Sequence, residues 1–178
     1  YDTDYVVIAA VRSKEGTVAS DTAAITTAKD PAIDLGQGAN TYIVSKAGTY
    51  SFTPEKVDGT PIDGIASANW IWATKADEND KEQKLLDNVA YAGGMIRFTT
   101  TGERGNAVIA AFDATGKSIW VWLIWCTEQP EEMEYENGGV FLDRFLGATA
   151  AELTDGEATW GNILYQWGRN VPIYAGYD

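Results

Sequence analysis

Hydrophobic and polar residues alternate along much of this chain, except in one stretch that is apolar almost throughout. Residues 117–126 read Lys-Ser-Ile-Trp-Val-Trp-Leu-Ile-Trp-Cys. A strand with one face in water alternates apolar and polar residues, whereas a strand that is apolar at every position is covered on both faces. The run is too short to cross a bilayer as a helix, which needs about 20 apolar residues. It therefore predicts the central strand of a β-sandwich.

Short alternating segments separated by glycine turns predict the neighbouring strands. Two early segments, 4–12 and 17–27, flank the turn Ser13-Lys-Glu-Gly16 and predict an N-terminal β-hairpin. Short strands with turns about every 8–12 residues are typical of a sandwich. The predicted fold class is all-β: an Ig-like or fibronectin-like β-sandwich with an N-terminal hairpin and an irregular C-terminal extension. The further strands are predicted at 40–45, 49–53, 69–74, 89–91, 95–101 and 106–113.

The pattern changes after Pro130. Residues 131–136, Glu-Glu-Met-Glu-Tyr-Glu, predict an acidic tether. Residues 160–169, Trp-Gly-Asn-Ile-Leu-Tyr-Gln-Trp-Gly-Arg, predict a short helix that enters a turn. In that helix Ile163, Leu164 and Trp167 would share one face.

The charge and the missing residue types narrow the function classes. The chain carries 26 Asp+Glu against 13 Lys+Arg, a net charge of -13. Such a surface repels nucleic acid and anionic membranes, because phosphate binding needs clustered Lys and Arg. The absence of histidine removes the usual general base, the common catalytic triads and most transition-metal sites. We therefore predict no enzyme, no nucleic-acid partner and no membrane insertion by this segment; paired carboxylates of a glycosidase are the enzymatic alternative.

Aromatic residues are the candidate ligand-binding groups, because exposed rings hold sugars by apolar contact and CH–π stacking. The candidates are Trp160, Trp167 and Tyr174. Aromatic side chains also dominate cores, where each buries about 150–250 Å². A core position is favoured for the three tryptophans of residues 117–126, and a core position is also the favoured alternative for Trp160 and Trp167.

The sequence gives little indication of a metal site or of a reactive cysteine. Asp77 and Asp80, with the oxygen-bearing residues between them, could ligate Ca²⁺, although the loop lacks the spacing of an EF-hand. A solvated loop is the alternative, and no other cofactor is expected. The single cysteine, Cys126, cannot form an internal disulfide and is expected to be a buried, inert thiol.

Several segments resemble modules of secreted multidomain proteins from Bacteroidetes. Residues 39–50, 105–111 and 120–125 resemble parts of one β-sandwich module of such proteins. Leu142-Asp-Arg-Phe-Leu-Gly-Ala148 and Leu164-Tyr-Gln-Trp-Gly-Arg169 resemble the opening of the Fibrobacter succinogenes major paralogous domain, which is C-type-lectin-like. The family often has Asn where Phe145 stands and His where Leu123 stands, which puts in doubt any function tied to those two residues.

The resemblance implies a domain organisation and a glycosylation site. Residues 1–28 resemble the final hairpin of a fibronectin type III-like domain, 29–129 are the sandwich module, and 130–178 are the start of the lectin-like domain. Asp21-Thr-Ala23 fits an O-glycosylation motif described for Bacteroidetes, which implies Thr22 as a modification site.

The expected function is that of a non-catalytic extracellular module of a bacterial cell-surface protein, in adhesion or in presentation of a binding domain. The parent protein would be anchored to the outer membrane. The alternatives are a fimbrial or filament subunit that assembles by β-strand addition, and a glycan-binding module. The expected partners are host or bacterial surface glycans or proteins, or sister subunits.

Overall fold

The computed structural model describes residues 4–12, 18–26, 32–74, 85–152 and 157–175, and it describes side chains for 32–74, 85–152 and 159–175. The chain divides into two compact units, Tyr1–Pro31 and Ala32–Asp178. Among the described residues the regular structure is strand apart from one four-residue helix. The predicted all-β fold class is confirmed. No helix in these ranges is both long enough and apolar enough to cross a bilayer.

The first unit contains the predicted N-terminal hairpin. Strand β1 (Asp4–Arg12) pairs antiparallel with β2 (Val18–Thr26), in register from Asp4 opposite Thr26 to Arg12 opposite Val18. Thr22, the candidate glycosylation site, lies in β2 opposite Ile8. The candidate calcium ligands Asp77 and Asp80 lie outside the described residues.

The second unit is built on two four-stranded sheets. In one the strand order is β3-β5-β8-β7, and in the other it is β4-β10-β9-β6. The pairings β3–β5 and β4–β10 are parallel, and the other pairings are antiparallel. The strands are β3 (Ile33–Gln37), β4 (Thr41–Val44), β5 (Gly48–Thr53), β6 (Ser67–Ala73), β7 (Leu86–Ala92), β8 (Met95–Thr100), β9 (Gly105–Phe112) and β10 (Ser118–Cys126).

The main core lies between the two sheets and is centred on Phe52. The Phe52 ring comes from β5, and its centroid lies 4.5 Å from that of Tyr42 and 5.1 Å from that of Trp122, both in the opposite sheet. Trp122 and Trp125 are fully buried, which confirms the core prediction for them, and Trp120 packs partly buried at the edge of the same core.

Strand β10 is buried on both faces, as its sequence predicts. Trp122, Ile124 and Cys126 point into the core between the sheets, since alternate residues of a strand face the same way. Val121 and Leu123 face the other side, where they form a second cluster with β9. Residues of the C-terminal extension cover that cluster, namely Ile163, Val171 and Tyr174.

The C-terminal extension differs from the sequence-based prediction in two places. The predicted acidic tether is wrong, because residues 132–134 form a strand paired with 140–142. The predicted helix over 160–169 is wrong as well. The helix ends at Trp160, because Gly161 and Asn162 both adopt positive φ and cannot continue it. The elements are β11 (Glu132–Glu134), β12 (Val140–Leu142), α1 (Glu157–Trp160), β13 (Ile163–Tyr165) and β14 (Pro172–Tyr174), with β13 antiparallel to β14.

Candidate functional site

Exposed apolar side chains concentrate on the C-terminal extension. Apart from Ile33, Val57 and Ile71, every exposed large hydrophobic residue in the described part of the chain lies between 133 and 173. Single exposed hydrophobic residues are normal on protein surfaces, whereas a concentration of them marks an interaction site. The extension therefore carries the candidate interaction surface.

Arg144 links the start of this extension to Thr127, the residue that follows β10. The Arg144 guanidinium donates two hydrogen bonds to the Asp143 carboxylate, at 2.7 and 2.8 Å, and a third to the Thr127 hydroxyl at 3.1 Å. The hydrogen bonds from Arg144 hold the pKa of Asp143 below its ordinary value, and the same contact raises the pKa of Arg144. Two parallel hydrogen bonds of this kind also fix the orientation of the guanidinium relative to the carboxylate.

Two buried side chains of the sandwich then hold the next residues of the extension. The Asn106 amide donates a hydrogen bond to the Gly147 carbonyl at 2.7 Å, and the Trp125 indole N–H donates one to the Ala148 carbonyl at 2.9 Å. Ala148 has no exposed surface. The segment Leu142–Ala148, singled out in the sequence for its family resemblance, thus serves as the structural joint between the extension and the sandwich.

Two glycines allow separate parts of the extension to touch backbone to backbone. Gly147 has φ +85° and Gly161 has φ +68°. A β-carbon on Gly147 would lie 2.8 Å from the Gly161 carbonyl oxygen, and one on Gly161 would lie 2.7 Å from the Gly147 carbonyl carbon. Any larger residue would push the two backbones apart. This contact between the backbones at Gly147 and Gly161, the backbone crossing, brings Phe145 beside Trp160.

The result is an open aromatic cleft of about 680 Å³. The rings of Phe145 and Trp160 stand nearly parallel, 19° apart with centroids 6.1 Å apart, and they are 62% and 57% exposed. A volume of this size is typical of small-molecule sites, which are mostly apolar with a few polar groups. The described lining consists of Phe145, Leu146, Trp160, Asn162, Ile163, Leu164 and Ala175.

The chemistry of this lining favours binding by contact. Its polar side chain is the Asn162 amide, which can both donate and accept hydrogen bonds. None of the described lining residues carries a titratable side chain, so they provide no general acid, general base or nucleophile. Asn162 is held at φ +49°, a conformation that asparagine adopts more readily than most residues.

The structure places the three predicted ligand-binding residues in three different environments. Trp160 lines the cleft. Trp167 is 100% exposed in the turn between β13 and β14 and does not line it. Tyr174 is half-buried against the second cluster, and its ring lies 6.0 Å from that of Trp72. The expected core position of Trp160 and Trp167 is therefore wrong, and whether any of the three binds a ligand stays a prediction.

Sequence reasoning missed Phe145 and Asn162 as parts of a site. Phe145 attracted notice only as a departure from the family pattern, and Asn162 not at all. A usable signal existed: an aromatic residue close before a glycine in a loop, matched by Trp160-Gly161 later in the chain. Nothing local indicated that the two glycines would meet.

Cys126 behaves as an inert core residue. Its side chain is buried in the main core, and burial raises the pKa of the thiol to about 12. The reactive thiolate form is therefore negligible near neutral pH.

Fold and surface together define an all-β sandwich protein with an aromatic cleft on its extension. No family model and no curated protein matches the chain. Among solved structures it has a likeness to SGBP-B of the Bacteroides ovatus mixed-linkage glucan utilization locus, in complex with a mixed-linkage heptasaccharide, at 10% sequence identity and a TM-score of 0.26. The match covers 76% of this chain and 34% of that one. A likeness at this score supports no conclusion about this chain.

Proposed function

We propose that this protein is a non-catalytic, carbohydrate-binding module of a bacterial cell-surface protein, and that the cleft of Phe145 and Trp160 holds the sugar. The observation that carries the proposal is the pair of nearly parallel, solvent-exposed rings at the cleft. Aromatic residues left in water at a preformed cleft present a large, rigid apolar face. The C–H face of a pyranose ring is the complementary surface.

The charge of the chain indicates which sugars fit. A net charge of -13 repels anionic ligands, including uronic acids and sulfated glycans. The Asn162 amide matches the hydroxyl groups of a neutral sugar, which both donate and accept hydrogen bonds. The proposed ligand is therefore a neutral oligosaccharide.

The extracellular, surface-attached location is part of the proposal. It rests on the resemblance of residues 142–148 and 164–169 to the opening of a domain found in exported bacterial proteins. In that setting the module would serve adhesion to a glycan, or would present a neighbouring domain to one.

The test is titration calorimetry of the protein against neutral gluco-, manno- and xylo-oligosaccharides. Removing one stacking ring, in Trp160→Ala or Phe145→Ala, is expected to weaken binding about tenfold, which corresponds to about 1.4 kcal/mol. Trp167→Ala removes an equally large exposed ring outside the cleft and is expected to leave affinity unchanged. If none of these sugars binds, or if Trp160→Ala binds as well as the wild type, the proposal fails.

The alternative of a filament subunit has one supporting feature. Among the strands that the structure describes, β1 and β2 pair only with each other. A two-stranded hairpin is marginally stable alone and would gain from a strand contributed by a neighbouring subunit. Because no side chain of the hairpin is described, this alternative stays a prediction.

A further inference from the structure

The β11–β12 hairpin has apolar side chains in water on both of its faces. Met133 lies opposite Phe141, and the Tyr135 ring stands edge-on to Phe141 with centroids 5.4 Å apart. These three side chains share one face and are 42–61% exposed. Val140 and Leu142, which point to the other face, are 54% and 41% exposed. Such a hairpin lacks the packing that stabilises a two-stranded sheet.

The hydrogen-bond pattern of this hairpin leaves a free edge on β11. The Asp143 N–H donates to the Glu131 carbonyl at 2.9 Å, and the Tyr135 N–H donates to the Gly139 carbonyl at 2.8 Å. In an antiparallel pair the residues between such bonded pairs direct their backbone groups away from the partner strand. The N–H and C=O groups of Glu132 and Glu134 therefore point outward along the β11 edge.

The same edge carries a concentrated negative charge. Glutamates stand at 131, 132, 134 and 136, and residues 128–143 include no lysine or arginine. The next basic residue along the chain, Arg144, forms an ion pair with Asp143. No ion pair joins Glu132 or Glu134 to another described residue.

We propose that the β11 edge docks an extended, basic segment of a partner protein, which adds to the hairpin as a third strand. Its backbone would pair with the outward groups of Glu132 and Glu134, and Lys or Arg side chains two positions apart would lie beside the two glutamates. The residue between them would be apolar and would lie beside Met133.

Charge complementarity selects this occupant over a second copy of the chain. Two β11 edges brought together would set glutamates against glutamates, and like charges directly opposite each other destabilise a sheet. The docking surface is also distinct from the aromatic cleft, since none of its residues lines the cleft. The proposal therefore stands or falls independently of sugar binding.

The test uses a fluorescent synthetic peptide, Thr-Lys-Val-Lys-Val-Lys-Thr, titrated against the full chain at low and at physiological salt. We expect saturable binding that weakens with salt, and slower hydrogen exchange at the Glu132 and Glu134 amides in the complex. The double variant Glu132→Gln, Glu134→Gln is expected to bind about fivefold more weakly. Both glutamates are exposed, so the fold is expected to survive, which thermal unfolding checks.

Two controls separate docking from general attraction between opposite charges. Asp63→Asn with Asp87→Asn removes the same charge from exposed sites elsewhere and should leave affinity unchanged. A peptide whose lysines are methylated at the backbone nitrogen keeps its side-chain charge but lacks the N–H donors of the strand hydrogen bonds, so it should not bind. Equal affinity for the methylated peptide, equal weakening in the control variant, exchange protection elsewhere in the chain, or a dimer of the chain through this edge would each overturn the proposal.

Discussion

Replacing Gly161 by alanine tests whether the backbone crossing holds the extension together. The added β-carbon would overlap the Leu146 carbonyl oxygen and the Ala148 amide nitrogen. These are backbone atoms, so no side-chain rotation can relieve the clash. The two chain segments of the crossing must move apart. The Gly147 and Ala148 carbonyls would then lose the hydrogen bonds that the buried Asn106 and Trp125 side chains donate to them.

The size of the effect follows from two separable costs. Alanine at φ +68° costs about 1–2 kcal/mol, because the left-handed conformation crowds a β-carbon. Forcing a methyl group into a closed contact costs about 1–3 kcal/mol more. Gly168→Ala isolates the first cost, since Gly168 has φ +78° in the same extension and a β-carbon there would meet nothing within 4 Å.

Urea unfolding followed by tryptophan fluorescence measures both variants. All seven tryptophans lie within Ala32–Asp178, so the signal reports the second unit alone. Gly161→Ala should lower the free energy of unfolding by about 1–3 kcal/mol more than Gly168→Ala does. Equal losses in the two variants would show that the crossing is loose and would refute the reasoning.

Two further predictions concern ionisable groups. In the native protein Cys126 should not react with a disulfide reagent at pH 8, and it should react at once on unfolding. Burial raises the pKa of this thiol from 9.0 to about 12, so its contribution to the free energy of unfolding should be complete below pH 9 and should fall as the pH rises above 9. Asp143 has its pKa lowered by Arg144, so its contribution should be complete above the ordinary value of 3.8 and lost as the pH falls through the folded-state pKa. Acid titration of Asp143→Asn should show a flatter loss of stability below about pH 4 than the wild type, and identical profiles would contradict the assignment.

The sandwich could be predicted from the sequence because its strands are long, so that the pattern of buried residues extends over many positions. In β10 eight consecutive apolar positions, 119–126, carry the signal of double burial, so no single residue decides the assignment. The glycine turns before β9 and β10 fixed the strand ends within a residue or two. The prediction for β7 was less complete, since only part of Leu86–Ala92 was recognised as strand.

The extension could not be predicted because its strands have three residues each. In β13 only Ile163 is buried while Leu164 is exposed, and one buried residue gives no period. The Ile163, Leu164 and Trp167 spacing fitted a helix equally well. The outcome depends on Gly161 lying against Gly147, a contact between residues far apart in the chain. The cleft depends on the same contact, so its two rings could not be paired from sequence.

The two-sided burial of β10 also determines where this chain can be divided. A protein ended at Pro130 would expose Val108, Val121 and Leu123 as a continuous apolar sheet face, which favours aggregation. Genetic exchange that shuffles modules should therefore keep residues 32–175 together and recombine near Pro31, where the chain divides into its two compact units. A boundary at Pro130, where the sequence pattern changes, would separate the second cluster from Ile163, Val171 and Tyr174, which cover it.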